Sequence, residues 1–214
     1  MSVVSRDIHR AVRVVKRGGV LVYPTETFWA LGGSACSSEA VLQTARIKNR
    51  PPDKPLPVVI GCMEHLSAFF RPRPEELQIA ALFWPGPLSI VVRGGPDLAP
   101  VLADSRGRVS VRWSAHAAAC GLAVQTGVPL VSTSANPSGR PPAREFIELH
   151  KDIKDRADLC FVSEEVPAGG MPSTVVEVTV GMSCTILRPG KVGREDFLKK
   201  GVNASPPPDQ NSRG

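Results

Sequence analysis

The sequence has little of several features that mark particular protein classes. Its 214 residues include only 1 Tyr, 3 Trp and 7 Phe, so a platform of stacked rings for single-stranded nucleic acid is not expected. No apolar run reaches the roughly 18 residues that a membrane helix needs. The first residues form a polar, amphipathic stretch without the apolar core of a secretory signal. We therefore expect no membrane association.

Cysteine and histidine are also sparse and poorly spaced for metal or disulfide chemistry. The 5 Cys form no C-x-x-C pair and the 4 His are scattered, so neither a zinc site nor a disulfide framework is predicted. Reduced thiols and a cytoplasmic location are expected. The sequence also lacks a P-loop, a G-x-G-x-x-G fingerprint, H-E-x-x-H and G-x-S-x-G. A nucleotide would therefore have to be bound without a glycine cradle.

The composition indicates one basic, globular domain. Apolar residues make up 42% of the chain, and 26 Lys and Arg against 20 Asp and Glu leave a net charge of +6. That length and apolar content suffice for a sizeable core, and the basic balance favours phosphate-bearing or nucleic-acid partners. We expect a folded domain over residues 1–200. A disordered tail is predicted over 201–214, whose end has nothing to bury.

Hydrophobic periodicity alternates between helical and extended segments. Helices are predicted at 4–17, 38–47, 74–83, 115–125 and 143–150. Strands are predicted at 20–23, 56–60, 88–92, 108–111, 130–133, 159–162, 174–178 and 184–187. Alternation followed by crowded strands favours an α/β domain with a mixed sheet.

Polar and cationic residues follow several of the predicted strands and helices, where open α/β sheets place ligands. The candidates are the hydroxyls of Thr25 and Thr27, the cations Lys48 and Arg50 before a proline-rich loop, the segment 132–139, and the strand-borne Arg112 and Arg188. Preorganised cations of this kind suit a triphosphate. Each pattern also has an ordinary structural explanation: a Ser/Thr turn, complementation of a helix dipole, or a salt bridge.

A set of short motifs, taken in order, resembles the YrdC/TsaC family of L-threonylcarbamoyladenylate synthases. They are Tyr23-Pro24-Thr25-Glu26-Thr27, Lys48-x-Arg50-Pro51, Lys54-Pro55-Leu56, Trp84-Pro85-Gly86-Pro87, Val111-Arg112, Ser132-Thr133-Ser134-Ala135-Asn136-x-Ser138-Gly139, Ser173-Thr174-Val175 and Leu187-Arg188-Pro189-Gly190. The resemblance covers about residues 5–195 and matches the short, single-domain form of the family. It implies an α/β fold with a twisted, open mixed sheet flanked by helices and a basic concave face.

The resemblance also implies an activity and its residues. Family members condense L-threonine, bicarbonate or CO2, and ATP into threonylcarbamoyl-AMP and pyrophosphate, for N6-threonylcarbamoyladenosine at position 37 of tRNA. The implied catalytic residues are Lys48 and Arg50. The implied ATP-binding residues are Lys48, Arg50, Lys54, Ser132, Ser134, Asn136 and Arg188. The implied threonine-binding residues are Thr27, Arg112 and Thr174.

The implied partners are the substrates, a downstream threonylcarbamoyl transferase complex, and tRNA or double-stranded RNA on the basic face. Mg²⁺ is expected to arrive with ATP, without a protein metal site or an organic prosthetic group.

Two other functions stay open from the residues alone. A basic surface could hold tRNA or double-stranded RNA without chemistry. A paralogue could use a different carbamoyl-adenylate substrate, because Ala30 stands where the family usually has Gly and Ser34 lies where an acidic residue is usual.

Overall fold

A computed structural model describes residues 3–51 and 54–206, which form seven α-helices and thirteen strands. The helices are α1 (Ile8–Lys16), α2 (Ser38–Lys48), α3 (Met63–Phe69), α4 (Pro74–Phe83), α5 (Ala117–Thr126), α6 (Lys151–Arg156) and α7 (Arg194–Lys199). The strands are β1 (Val3–Ser5), β2 (Leu21–Pro24), β3 (Trp29–Gly32), β4 (Val58–Ile60), β5 (Phe70–Arg71), β6 (Leu88–Gly94), β7 (Arg108–Trp113), β8 (Leu130–Val131), β9 (Thr133–Ser134), β10 (Leu159–Phe161), β11 (Thr174–Val178), β12 (Ser183–Arg188) and β13 (Asn203–Ser205).

The strands form two mixed sheets. One runs β1-β10-β2-β3-β9, and the other runs β13-β12-β11-β6-β7-β4-β8, with β5 added beside β6. Parallel pairs such as β4–β7 alternate with antiparallel pairs such as β6–β7. The mixed sheet expected from the alternating sequence pattern is therefore present, and helices pack on both sheets.

Local sequence explains where two helices begin. In α1, the Asp7 side chain accepts from the His9 backbone N–H at 2.9 Å, which caps the first turn. In α4, Pro74 supplies the favoured first residue, and the Glu76 carboxylate accepts from the Arg73 backbone N–H at 2.7 Å. The observed bounds of α4 are those predicted. Helix α1 is shorter than predicted because residues 3–5 pair with β10 instead.

Three hydrophobic clusters hold the elements together. The largest lies under the second sheet and includes Phe70, Leu88, Val111 and Phe197. The other two bury α1 and α5 on one side of the first sheet, and α2 and α6 on the other. Apolar burial of this kind supplies the main stabilisation of the fold.

Two sequence predictions about the later part of the chain are wrong. A helix was expected over 143–150, but the chain forms a short 3-10 turn (Phe146–Glu148) and then α6. The Glu148 carboxylate holds that turn by accepting from the backbone N–H groups of Arg144 and Glu145, at 2.8 and 3.0 Å.

Disorder was expected from residue 201, but β13 pairs in parallel with β12, and Val202 and Ala204 are buried. These apolar side chains complete the core beside α7, which is why the domain continues past residue 200. Residues 207–214 of the predicted tail lie outside the described residues. In the part of the chain that is described, no helix combines the length and apolarity needed to cross a bilayer.

Candidate functional site

The candidate site lies where the chain passes from one sheet to the other. Residues 130–133 were predicted as one strand, but the structure divides the region into β8 in the second sheet and β9 in the first. At the crossing point, the Ser132 N–H donates to the Pro57 carbonyl at 2.8 Å, and the Ala135 N–H donates to the Trp29 carbonyl at 2.8 Å. The crossing segment is thus fixed to both sheets, and a cavity opens beside it.

This cavity has a volume of about 160 Å³ and draws its walls from both sheets. Its lining carries three arginines and several hydroxyl groups. The lining residues are Thr25, Thr27, Phe28, Trp29, Ala30, Arg50, Pro57, Val58, Ser89, Arg112, Ser132, Thr133, Ser134, Pro142, Pro172, Ser173 and Arg188. Of the predicted site residues, Thr27, Arg50, Arg112, Ser132, Ser134 and Arg188 therefore share one cavity.

Arg112 projects from β7 into this cavity and is held by a carboxylate. Its Nη1 lies 2.7 Å from Oε1 of Glu26, which follows β2 in the other sheet. The other carboxylate oxygen of Glu26 accepts a hydrogen bond from the Ser114 hydroxyl. Nη1 of Arg112 also lies 3.5 Å from the Thr27 hydroxyl. Arg112 and Thr27 are buried, so this corner of the cavity is oriented before any ligand enters.

Arg188 stands at the end of β12, at the mouth of the cavity. Its Nη2 donates to the Ser173 carbonyl at 2.7 Å and lies 3.1 Å from the Ser173 hydroxyl, which is 3.1 Å from the Ser89 hydroxyl. Partial desolvation and the neighbouring guanidinium groups of Arg112 and Arg50 lower the pKa of Arg188. Like charges are thus concentrated here, which makes an anionic ligand favourable.

Arg50 reaches the same cavity because of the way α2 ends. Asn49 adopts a left-handed conformation with φ of 52°, and the Arg50 N–H then donates to the Ala45 carbonyl at 2.9 Å. The guanidinium of Arg50 donates to the carbonyls of Lys54 and Pro55, at 3.1 and 2.9 Å. Asn49 therefore turns Arg50 toward the site at the helix end.

Lys48 lies behind the wall of the cavity, in an adjoining recess of about 250 Å³ that it shares with Arg50, Lys54 and the segment 134–139. Its Nζ donates to the carbonyls of Ser134 and Asn136 at 2.6 and 2.7 Å, and to the Asn136 side-chain oxygen at 3.1 Å. Burial and the nearby Arg50 charge lower the pKa of Lys48 to about 8. Through these hydrogen bonds, Lys48 holds the segment 134–136 in place.

Lys48, Lys54 and Asn136 line the adjoining recess rather than the first cavity, and Thr174 is the predicted site residue that lines neither. Its hydroxyl donates to the Val192 carbonyl at 2.8 Å and accepts from the Val192 N–H at 3.0 Å, and the side chain is fully buried. Because strand side chains alternate between faces, the preceding Ser173 faces the cavity instead. The hydroxyl that lines the cavity at this position is therefore that of Ser173.

The sequence did not predict three groups at the site: the hydroxyls of Ser89 and Ser114, and the Glu26 carboxylate as the ion-pair partner of Arg112. Ser89 interrupts the apolar run of β6 and faces Ser173, while Ser114 follows β7 and holds Glu26. A polar residue within a predicted buried strand is the signal that could have found Ser89. Glu26 entered the sequence analysis only as part of the motif at 23–27, since its pairing with Arg112 joins residues distant in sequence.

No metal site accompanies these groups in the described ranges, where no cluster of three or more His, Cys, Asp or Glu side chains is placed to hold an ion. The five cysteines are free thiols, and two of them, Cys160 and Cys184, are buried. Pro52 and Asp53 lie outside the described residues.

Comparison with known proteins assigns the chain to a family. The family model for the Sua5/YciO/YrdC domain, described as "Telomere recombination", matches residues 13–190. The threonylcarbamoyl-AMP synthase of Hahella chejuensis is 39% identical over 176 residues, 81% of this chain and 95% of that protein. The putative threonylcarbamoyl-AMP synthase of Mycobacterium tuberculosis is 34% identical over 205 residues, 94% of this chain and 92% of that protein.

A solved structure shows the same architecture. The crystal structure of P. abyssi Sua5 complexed with L-threonine matches 96% of this chain with a TM-score of 0.84 at 28% identity. This chain spans 62% of that longer one. The fold class implied by the sequence motifs is thereby confirmed, and the chain belongs to the Sua5/YciO/YrdC family.

Proposed function

We propose that this protein is a threonylcarbamoyl-AMP synthase, an enzyme that transfers the adenylyl group of ATP to the carbamate of L-threonine. The observation that carries the proposal is the convergence of Arg50, Arg112 and Arg188 on one cavity lined with hydroxyls. Two relatives that this chain matches over 95% and 92% of their own length are named threonylcarbamoyl-AMP synthase, the second as putative. Its product would serve tRNA modification through a separate threonylcarbamoyl transferase complex.

The proposed reaction has two bond-forming steps. The amine of threonine first adds CO2, derived from bicarbonate, and loses a proton, which gives a carbamate. A carbamate oxygen then attacks the α-phosphorus of ATP, and the bond to the pyrophosphate leaving group breaks. Negative charge is redistributed over the α-phosphate and the leaving group, so fixed cations lower the barrier. Holding both substrates in one cavity lowers the barrier further, because the reacting groups are already positioned.

The positions of the side chains suggest how the roles divide. Arg112, beside Thr27 and deep in the cavity, is placed to bind the threonine carboxylate as a bidentate fork. Arg50 and Arg188, on the same cavity, are proposed to bind the ATP phosphates. Ser173 takes the place of Thr174 as a hydroxyl contact.

The adjoining recess is the proposed position of the triphosphate, and its lining includes the predicted ATP-binding residues Lys54, Ser134 and Asn136. Ser132 would contribute from the wall of the first cavity. Lys48 is proposed as a positioning residue that shapes this recess through its hydrogen bonds to Ser134 and Asn136. Because Lys48 also lines the recess, we propose that its ammonium group attracts the bound phosphates.

Mg²⁺ is proposed to enter as part of the ATP substrate, where it would supply further positive charge on the phosphates. The chain's own contribution is the set of arginines and hydroxyls, and we propose no organic prosthetic group. Free cysteines and the use of ATP fit a cytoplasmic reaction. Contact with tRNA or double-stranded RNA on a basic face stays part of the proposal.

The test is a direct assay of the product. Protein, ATP with Mg²⁺, L-threonine and bicarbonate are combined, and the adenylate is identified by mass, with threonine omitted as the control. Arg188→Ala and Arg112→Met should each lower turnover by about 100-fold or more, since each removes a charged contact to a substrate. Arg10→Ala on the exposed side of α1 is the matched control and should turn over normally.

Three results would count against the proposal. Unchanged turnover in the Arg50→Ala, Arg188→Ala double variant would show that these arginines do not form the active site. RNA binding that is steeply salt-dependent, with no adenylate formed and no competition from ATP and threonine, would support a binding module without chemistry. An adenylate that forms without threonine but with another carbamoyl donor would indicate a paralogue with a different substrate.

A further inference from the structure

A second group of arginines lies at the other end of the strands that carry the candidate site. On β7, Arg112 faces the first cavity, and Arg108, four residues earlier, lies about 13 Å away along the strand. On β6, Ser89 and Arg93 have the same relationship. Both pairs lie on one face of the sheet because strand side chains alternate with a period of two. The second group is therefore separate from the candidate site.

These arginines surround a cavity of about 530 Å³, within the size range of small-ligand pockets. The cavity is lined by Arg71, Arg73, Glu76, Val91, Arg93, Arg106, Arg108, Glu177 and Val178. Five guanidinium groups thus face two carboxylates. The arginines come from β5, the start of α4, β6, the loop before β7, and β7, so they converge from several elements. We call this set the arginine cluster.

The strand register places like charges directly opposite one another in the arginine cluster. Arg71 on β5 pairs with Arg93 on β6, and Arg93 pairs with Arg108 on β7. Like charges at opposed positions of an antiparallel pair destabilise a sheet. A row of three across neighbouring strands is therefore costly in the absence of an anion.

Only part of this charge is neutralised within the protein. Arg108 binds Asp104 at 3.0 Å and also contacts Glu177, while Arg73 binds Glu76 at 2.9 Å. Arg71, Arg93 and Arg106 are exposed and form no salt bridge with any carboxylate in residues 3–51 or 54–206. Three guanidinium groups remain to bind an external anion.

We propose that the arginine cluster is an anion site, distinct from the candidate active site, for a compact ligand that carries two or three linked phosphate groups. Three uncompensated guanidinium forks call for several negative charges in a small volume. Among the described residues that line the cavity there is no aromatic ring, so the phosphates are recognised rather than a base. Glu76 and Glu177 are paired with Arg73 and Arg108, so the uncompensated positive charge is confined to three neighbouring arginines, which favours a compact ligand over a nucleic-acid backbone.

The experiment measures tripolyphosphate binding by isothermal titration calorimetry. Tripolyphosphate could also enter the candidate active site, so the titrations use protein carrying Arg50→Ala and Arg188→Ala, in which that site has lost two cations. In this background we expect one bound tripolyphosphate per chain. Adding Arg71→Ala and Arg93→Ala should weaken binding by about tenfold or more, because two charge-assisted contacts are lost.

A matched control removes the same charge elsewhere. Arg10→Ala with Arg17→Ala, both exposed on or beside α1, should change the affinity by less than about twofold, since only long-range attraction is lost. Arg93→Lys keeps the charge but loses the fork and should fall between the two. Without ligand, the Arg71→Ala, Arg93→Ala protein should melt at the same or a higher temperature, because opposed like charges are removed.

Two outcomes would overturn the proposal. One is unchanged tripolyphosphate affinity after Arg71→Ala and Arg93→Ala, with the exposed loop variant Arg106→Ala as a second check should the double variant misfold. The other is binding of an RNA duplex of about 16 base pairs that depends on Arg71 and Arg93 while tripolyphosphate does not bind, which would assign the cluster to nucleic acid. Neither result depends on whether the protein makes an adenylate.

Discussion

Arg112 and Glu26 form a buried ion pair that joins the two sheets of the protein across the candidate site. Nη1 of Arg112 lies 2.7 Å from Oε1 of Glu26, and their side chains are 8% and 14% exposed. The Ser114 hydroxyl holds the second carboxylate oxygen. The pair connects the end of β7 with the turn after β2, so it supports both the fold and the orientation of Arg112.

Removing one partner of this pair should destabilise the fold more than removing both. Glu26→Ala leaves the Arg112 guanidinium buried without its carboxylate, and we expect a loss of about 3 kcal/mol in the free energy of unfolding. Glu26→Leu combined with Arg112→Met should lose clearly less. Urea denaturation of the wild type and the two variants measures the difference. A loss in the double variant as large as the loss in Glu26→Ala, or larger, would contradict a stabilising interaction between the two side chains.

Lys48 should matter for stability through the segment that it holds. Lys48→Met keeps most of the side chain but leaves the carbonyls of Ser134 and Asn136 without their donor, which should cost about 2–4 kcal/mol. Lys54→Met is the matched control, because the Lys54 side chain is exposed, and it should change stability by less than about 0.5 kcal/mol. Denaturant unfolding at neutral pH compares them. Equal stability of the two variants would contradict the positioning role.

The stability of the protein should depend on pH through the same lysine. Burial and the Arg50 charge lower the pKa of Lys48 to about 8 from its usual 10.5. Between those values the unfolded chain binds the proton more tightly, so this group's contribution to stability rises with pH. The unfolding free energy of the wild type minus that of Lys48→Met should therefore increase as pH rises from about 8 to about 10. A difference that stays constant over this range would show that the Lys48 pKa is normal.

Gly190 should not tolerate a side chain. A Cβ there would lie 2.4 Å from the Pro172 carbonyl oxygen and 2.5 Å from the Thr174 nitrogen, so the backbone that carries Ser173 and supports Arg188 would have to move. Gly190→Ala should cost more than about 2 kcal/mol and should reduce adenylate formation. Thermal unfolding and the product assay measure the two effects.

Gly94→Ala provides the control for this substitution. Its Cβ would lie 3.5 Å from Val109 Cγ2, 3.6 Å from Leu98 Cδ1 and 3.7 Å from the Gly107 carbonyl oxygen, all ordinary contact distances. We therefore expect a change below about 1 kcal/mol. Similar losses of stability in Gly190→Ala and Gly94→Ala would mean that crowding around the new Cβ does not explain the loss at Gly190.

The sequence predicted elements that local chemistry determines. The bounds of α4 follow from Pro74 and the acidic first turn, and β11 from its alternating apolar residues. Strand β3 was not predicted because its small residues resemble a turn. Its pairing with β2 and β9 involves residues distant in sequence, which local patterns do not report. Strand β13 was missed for the same reason.

The candidate site shows the same division. Motifs predicted that Lys48, Arg50, Arg112 and Arg188 act together. The structure places the three arginines around one cavity and Lys48 in the adjoining recess. The partners of the predicted residues were not foreseeable from spacing. Lys48 meets Ser134 and Asn136 only after β9 joins the first sheet, and Thr174 turns away from the cavity because Val192 satisfies its hydroxyl.

The carboxylate already seated on Arg112 has a consequence for any acidic molecule that enters. Such a molecule meets the Arg112 guanidinium, which is already buried and held in one orientation. Its own carboxylate can bind Arg112 only by sharing the guanidinium with Glu26 or by displacing Glu26 from it. Binding there is then an exchange of one carboxylate for another. Glu26 stays tethered beside the site after such an exchange, so the entering molecule adds one negative charge there, which Arg50 and Arg188 are placed to offset.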